Sequence, residues 1–187
     1  MTVTPHVHYS TQGHVATIRI DREGAMNSMN AQTRREIGAA QALAEADEYI
    51  RVVILTGTGK AFSSGTDLRE VMEMTGAPVM YDNSITDYKP LVDAVTNSDK
   101  IYMAAINGAA GGVALGLALG ADVAIMSGRA YIFSPFANIG LVPDGGASWF
   151  FLQHLGYKRA FAAIAECTKF DAASCLEMGM VNKVVPH

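Results

Sequence analysis

The stretch Ala104-Ala-Ile-Asn-Gly-Ala-Ala-Gly-Gly-Val-Ala-Leu-Gly116 decides how this chain is built. It opens as the end of an apolar run, Ile101–Ile106, that suits a buried strand. It passes through a loop of small residues and continues as a small-residue helix over Val113–Gly120. A strand feeding through such a loop into a helix leaves backbone N–H groups unpaired at the helix start. Those groups can hold an anion or a developing oxyanion. The design occurs twice more. Lys60-Ala-Phe-Ser-Ser-Gly-Thr-Asp-Leu-Arg69 follows a strand over Arg51–Thr56 and leads into a short helix starting near Asp67. Asn138-Ile-Gly-Leu-Val-Pro-Asp-Gly-Gly-Ala-Ser-Trp149 sets a carboxylate, Asp144, beside glycines where Pro143–Asp144 opens a helix to about Leu155.

Outward from these segments, Val7–Tyr9 and His14–Ile20 read as a hairpin across a Gln-Gly turn. Asn30 is a candidate N-cap for a helix from Ala31 to about Tyr49, with Ile37, Ala40, Leu43 and Ala44 on one stripe. The VVIL of Arg51–Thr56 has the pattern of a fully buried strand. A loop is expected over residues 76–84 and a helix over about 85–98. Further strands are expected at Asp122–Met126, Ala130–Phe133 and Val181–Val185, and further helices at Tyr157–Glu166 and Ala172–Met178. Helices alternate with strands, so the class is α/β, and residues 1–187 form a single core domain. The Met-rich stretch Val71–Met80 reads either as a pocket lid or as a plain helix-to-loop transition.

Composition narrows the function. The chain has 187 residues, half of them apolar and 17% charged, which suits one globular domain with a real core. A net charge of -4 opposes nucleic-acid binding, which needs a basic face for phosphate. The N-terminal MTVTPHVHYS lacks the pattern of a signal peptide. Asn107, Asp122 and the glycines interrupt the longest weakly polar stretch, so no membrane span is expected. Cys167 and Cys175 have no metal-ligand spacing and read as reduced thiols of a cytoplasmic protein. The five histidines are scattered, and no metal centre is expected. The phosphate loop GxxxxGK[ST] and the dinucleotide pattern GxGxxG are both absent. Asp144 alone reads either as the N-cap of its helix or as an acid–base group. Asp67 reads as a loop-fixing carboxylate, and Asp122 as structural.

In this order, the segments resemble the crotonase, or enoyl-CoA hydratase/isomerase, family. AFSSGTDL is similar to the family's AF-x-x-G-x-D-L loop, and AAINGAAGG to its A-x-NG-x-x-x-GG loop. SPFANIGLVPDGGAS resembles its P-x-x-x-x-G-x-x-P-x-x-G-G segment. DREGAMNSMN and LEMGMVNKVVP match its early and closing patterns, with Glu23 where a proline is usual. The resemblance runs from about residue 7 to 186. It implies a spiral of ββα repeats forming two roughly perpendicular sheets. It also implies that the family's C-terminal helical, trimer-building region is absent from this chain.

The resemblance further implies an acyl-CoA thioester as substrate, with coenzyme A as part of that substrate and no separate cofactor. It points to fatty-acid metabolism, and to a homotrimer or hexamer. By position, the backbone N–H groups of Thr66 and Val113 would form an oxyanion hole. Coenzyme A would lie against Ala25, Met26, Ser64, Asp67, Leu68 and the Gly112 loop, while Phe136 and Trp149 would line the acyl site. A hydratase of the family uses two glutamates, and the corresponding positions here are Gly116 and Phe136. Neither can transfer a proton. GLVPDGG is similar to isomerases of phenylacetyl-CoA degradation, which implies double-bond isomerisation by a single carboxylate, Asp144. The other implied outcomes are a different crotonase reaction (hydration, hydrolysis, decarboxylation or carbon–carbon cleavage) or a non-catalytic acyl-CoA-binding subunit.

Overall fold

A computed structural model of the chain describes residues 4–73 and 84–187. Most of the loop expected over residues 76–84, and most of the Val71–Met80 stretch that reads either as a lid or as a helix-to-loop transition, lie outside the described residues.

The hairpin forms as β1 (Val7–Gln12) and β2 (Val15–Ile20), paired antiparallel around Gly13. Helix α1 (Ala31–Ala46) starts where Asn30 accepts a hydrogen bond from the Thr33 N–H at 3.0 Å. It ends three residues earlier than expected. Then come β3 (Val52–Gly57), β4 (Ala61–Ser63) and α2 (Leu68–Glu73). A π-helical turn at Ser84–Tyr88 runs into α3 (Lys89–Thr96). The next units are β5 (Ile101–Ile106), β6 (Ala109–Gly111) and α4 (Ala114–Leu119), then β7 (Val123–Ser127) and β8 (Tyr131–Phe133). A 3-10 turn at Phe136–Ile139 precedes α5 (Ala147–Leu155) and α6 (Tyr157–Ala165). The chain closes with β9 (Lys169–Asp171), α7 (Ala172–Glu177) and β10 (Lys183–Val185).

A strand pair followed by a helix thus recurs three times, as β3-β4-α2, β5-β6-α4 and β7-β8-α5. The first strand of each pair joins a six-stranded sheet of order β1-β2-β3-β5-β7-β10. The second joins a four-stranded sheet of order β4-β6-β8-β9. All pairings beyond the hairpin are parallel except β8 with β9. The expected α/β class and ββα repeats are what the chain adopts.

Three strands, β4, β6 and β9, occupy segments expected as loop or left unassigned. At three residues each, they are too short to show alternation. The VVIL strand is also less enclosed than expected. Val53 and Leu55 are buried against the core, while Val52 and Ile54 on the other face are only partly covered. The core lies between the large sheet and helices α1, α3 and α4. Ile18, Ile37, Tyr102 and Ile106 are among its fully enclosed side chains.

Two asparagines, the buried Asn27 and the half-buried Asn107, stitch successive turns together. Asn27 Nδ2 donates to the Thr58 and Ala61 carbonyls at 2.9 and 2.7 Å. Asn107 Nδ2 donates to the Gly59 and Ala61 carbonyls, and its Oδ1 accepts from the Gly57 N–H. Since β4, β6 and β8 are parallel neighbours, the loops that leave them come out side by side. That adjacency assembles the site.

Candidate active site

The three loops border one cavity of about 460 Å³. Its walls include Ala25, Met26, Ser64, Thr66, Asp67, Leu68, Gly112, Val113, Phe136 and Asp144. The residues expected at the site are therefore brought together from five separate segments, with one exception. Trp149 is not among the cavity walls, and it is 60% exposed on α5. Phe133, Pro135, Ile139 and Leu141 add an apolar wall beside Phe136.

The Thr66 N–H is aimed by its own peptide unit. The Gly65 carbonyl accepts from the Met29 N–H at 2.8 Å. In a trans peptide the C=O and N–H point opposite ways, so the Thr66 N–H is turned away from Met29. The Gly112–Val113 peptide has the same logic, with its carbonyl accepting from the Leu115 N–H at 3.1 Å. Neither the Thr66 nor the Val113 N–H donates to a protein acceptor among the described residues. Unpaired N–H groups at partly or fully buried positions are rare, and both residues line the cavity. A β-carbon added to Gly65 would lie 3.1 Å from the Val113 nitrogen. The two loops thus touch through glycine. Gly112 takes the left-handed φ of +59°, which leaves Val113 at φ -60°, ψ -22°, an ordinary conformation for a β-branched residue. Two such donors on one cavity can stabilise negative charge on an oxygen placed there.

Asp144 does not cap α5. That helix begins at Ala147 behind Gly146, whose φ is +79°, and no side chain caps it. The Asp144 carbonyl accepts the Ala147 N–H at 2.9 Å, which leaves the carboxylate free of the helix. Its Oδ1 is sealed from solvent with no hydrogen-bond partner among the described residues, and its Oδ2 has the Ser84 hydroxyl at 3.5 Å. Burial pushes its carboxyl above the usual range, and the Ser84 and backbone contacts only partly oppose this.

The loop carrying Asp144 rests directly on α4. A β-carbon on Gly116 would fall 2.0 Å from the Gly145 carbonyl oxygen and 2.8 Å from Val92. A β-carbon on Gly145 would fall 2.3 Å from Val113 Cγ2. A side chain at 116 and this seat for Asp144 exclude one another.

Asp67 sits in a different environment. Burial acts to raise its carboxyl, but the Arg22 guanidinium at 2.9 Å, the Arg69 N–H and Ser28 outweigh it and hold it below the usual range. Arg22 is thus paired inside the protein, and it also donates to the Ser28 carbonyl at 2.6 Å. Asp122 accepts the Tyr102 N–H at 2.8 Å, a structural contact. Sequence reasoning missed the network behind the Thr66 loop. The buried Arg34 pairs with Glu70 at 2.5 Å and Asp87 at 2.9 Å, and it donates to Tyr88 and the Met29 carbonyl. Of the stripe expected on α1, Ile37, Ala40 and Ala44 are buried but Leu43 is exposed, one position round the helix from the buried face. Extending the buried part back by one turn would have placed Arg34 on it.

Among the described residues, no three His, Cys, Asp or Glu side chains are grouped to hold a metal, and no helix is long and apolar enough to cross a membrane.

A family model described as enoyl-CoA hydratase/isomerase matches residues 10–187. A protein of Rhodobacter capsulatus named "Probable enoyl-CoA hydratase" is 35% identical over 181 residues, covering 96% of this chain and 68% of its own length. The 1,2-epoxyphenylacetyl-CoA isomerase of Escherichia coli is 32% identical, covering 91% of this chain and 66% of its own. The crystal structure of an enoyl-CoA hydratase from Bacillus anthracis superposes with a TM-score of 0.90 at 28% identity, covering 97% of this chain and 70% of that one. The chain therefore spans about two thirds of the length of these relatives.

Proposed function

Since this chain belongs to the enoyl-CoA hydratase/isomerase family and has its crotonase fold, we propose that it shifts a double bond in an enoyl-CoA thioester with Asp144 as the only acid–base group. The thioester carbonyl sits between the Thr66 and Val113 N–H groups. Ionised Asp144 removes a proton from the carbon α to the carbonyl of a 3-enoyl-CoA. The electron pair delocalises onto the thioester oxygen, where the two N–H groups stabilise it. The Asp144 carboxyl then returns the proton to the γ-carbon, which gives the 2-enoyl-CoA. No water or redox partner is consumed, so the step balances with one carboxylate. No cofactor beyond the substrate's own coenzyme A is required.

The observation that carries this reading is the state of Asp144. Its Oδ1 is buried, has no partner among the described residues and belongs to a residue on the wall of a largely apolar cavity, and burial raises its carboxyl. An unpaired polar atom is costly in a folded protein and marks a functional group. Several relatives carry hydratase names. A two-glutamate hydration is disfavoured here by Gly116 and by the buried Phe136, which stand at the glutamate positions. Coenzyme A contacts at Ala25, Met26, Ser64, Asp67, Leu68 and Gly112 belong to the same proposal. So do cytoplasmic action and assembly as a homotrimer or hexamer. The exposed Trp149, Tyr157 and Phe161 on α5 and α6 favour assembly.

The test supplies 3-enoyl- and 2-enoyl-CoA thioesters of several chain types to the purified chain and follows the products by chromatography. The expected product of a 3-enoyl-CoA is its 2-enoyl isomer, with negligible hydration of crotonyl-CoA. Hydration of crotonyl-CoA at an ordinary enzymatic rate would overturn the reading.

A further inference from the structure

The Thr66 donor is held in place by Met29. Met29 N–H bonds the Gly65 carbonyl at 2.8 Å and its carbonyl accepts the Asp67 N–H at 3.2 Å, so both peptide units flanking Thr66 are fixed from one residue. Met29 is itself held from behind. Its carbonyl takes two further donors, Arg34 Nη1 and the Tyr88 hydroxyl, each at 3.2 Å. Arg34 Nη1 also donates to the Tyr88 oxygen at 3.2 Å, and the guanidinium lies 5.0 Å from the Tyr88 ring centre. Arg34 is anchored in turn by Glu70 from α2 and Asp87 from the π-helical turn. Arg34 and Tyr88 are buried, at 5% and 4% exposure, and neither is a cavity wall.

A buried charge with this many partners is costly to assemble, and apolar packing would stabilise the fold at least as well. Its location against the one residue that clamps the Thr66 peptide suggests what it is for. We infer that Arg34 and Tyr88 are positioning residues that fix the Thr66 N–H on the thioester oxygen through the Met29 carbonyl. They touch no substrate. Two donors on that carbonyl, one of them the charged guanidinium, stop the Met29 backbone from drifting, and a donor displaced by a fraction of an ångström loses much of its value in the transition state. The inference rests on the oxyanion role proposed above for Thr66 and Val113.

The test reads carbonyl polarisation directly, without turnover. The probe is 3-phenylpropenoyl-CoA, a 2-enoyl thioester with an aryl chromophore and no γ-proton to shift. Its absorption moves to the red when donors polarise the bound carbonyl. The wild-type chain is expected to shift it at saturation. Tyr88→Phe keeps the ring and loses the hydroxyl, and it is expected to bind the probe within about threefold of wild type while losing about half or more of the red shift. With turned-over substrate, its kcat is expected to fall on the order of tenfold with KM nearly unchanged, as for a group acting only in the transition state. If Tyr88→Phe does not fold, Arg34→Lys gives the same readout. It keeps a charge facing Glu70 and Asp87 but cannot reproduce the guanidinium fork, so a smaller red shift is again expected. A full wild-type red shift in a folded, saturated variant overturns the positioning role and leaves the oxyanion reading standing. A wild type that binds the probe with no shift overturns both.

Discussion

Asp144 and Asp67 are two carboxylates on one cavity whose surroundings push them in opposite directions. Asp144 is raised by burial with almost nothing to stabilise its charge, whereas Arg22 and backbone donors hold Asp67 low despite burial. A base works only when ionised, so the isomerisation rate should climb with pH through a value above the usual carboxylate range. Rates measured across pH should show that limb, and it should vanish in Asp144→Asn. Stability carries the opposite sign. The native state holds the Asp144 proton more tightly than the unfolded chain does. Its contribution is therefore full below the unfolded value of about 4 and is lost as pH rises through the raised native value. Asp144→Asn should accordingly unfold at a higher temperature than wild type at pH 7, with the gap narrowing as pH falls towards about 4. Asp67 contributes stability that is present above about pH 4 and is lost as pH falls through its depressed native value. Asp67→Asn should cost about 2–3 kcal/mol in denaturant unfolding, because it leaves the mostly buried Arg22 without its charge partner.

At the scale of elements, the site is a product of repetition. Each ββα unit ends in a loop, and parallel pairing of β4, β6 and β8 lines those loops up. The close approach of Gly116 to the Gly145 carbonyl then fixes where the Asp144 loop lies. A helix α4 that carried a glutamate at 116 could not support the Asp144 loop where it now lies. Gly116→Glu should therefore gain no measurable hydration of crotonyl-CoA. It should lower isomerase kcat and cost about 2–4 kcal/mol of stability, read by activity assay and thermal unfolding.

Much of this was legible in the sequence, because a strand, a small-residue loop and a helix leave a clear trace in residue type. Thr66 and Val113 were singled out by the family resemblance and Asp144 by its place beside glycines, and the structure brings all three to the walls of one cavity. The short strands β4, β6 and β9 were not, since three residues such as Ala-Ala-Gly carry no alternation. The start of α5 was misplaced by three residues because left-handed Gly145 and Gly146 delay the helix beyond Asp144. Trp149 was expected at the acyl site. It stands two residues beyond Ala147, the buried first residue of α5, and faces outward. The Arg34 network depends on contacts over 36 and 53 residues of separation, which no local pattern encodes.

On the whole molecule, α5 and α6 present Trp149, Leu152, Tyr157 and Phe161 to solvent, beside Val142 at 82% exposure. Single exposed apolar residues are ordinary, but several on adjacent elements favour contact with another surface. Sedimentation over a range of concentrations should show self-association, and Phe161→Glu should shift the population towards the monomer. A chain that stays monomeric at every concentration would contradict the proposed assembly without touching the chemistry of Asp144.

The proposed isomerisation depends above all on a single carboxylate moving the proton, and turnover of a 3-enoyl-CoA by wild type and by Asp144→Asn tests that directly. Wild type should yield the 2-enoyl isomer. The variant should bind the thioester with similar affinity and be slower by about 10²–10⁴-fold. A folded Asp144→Asn protein that isomerises at the wild-type rate would contradict it.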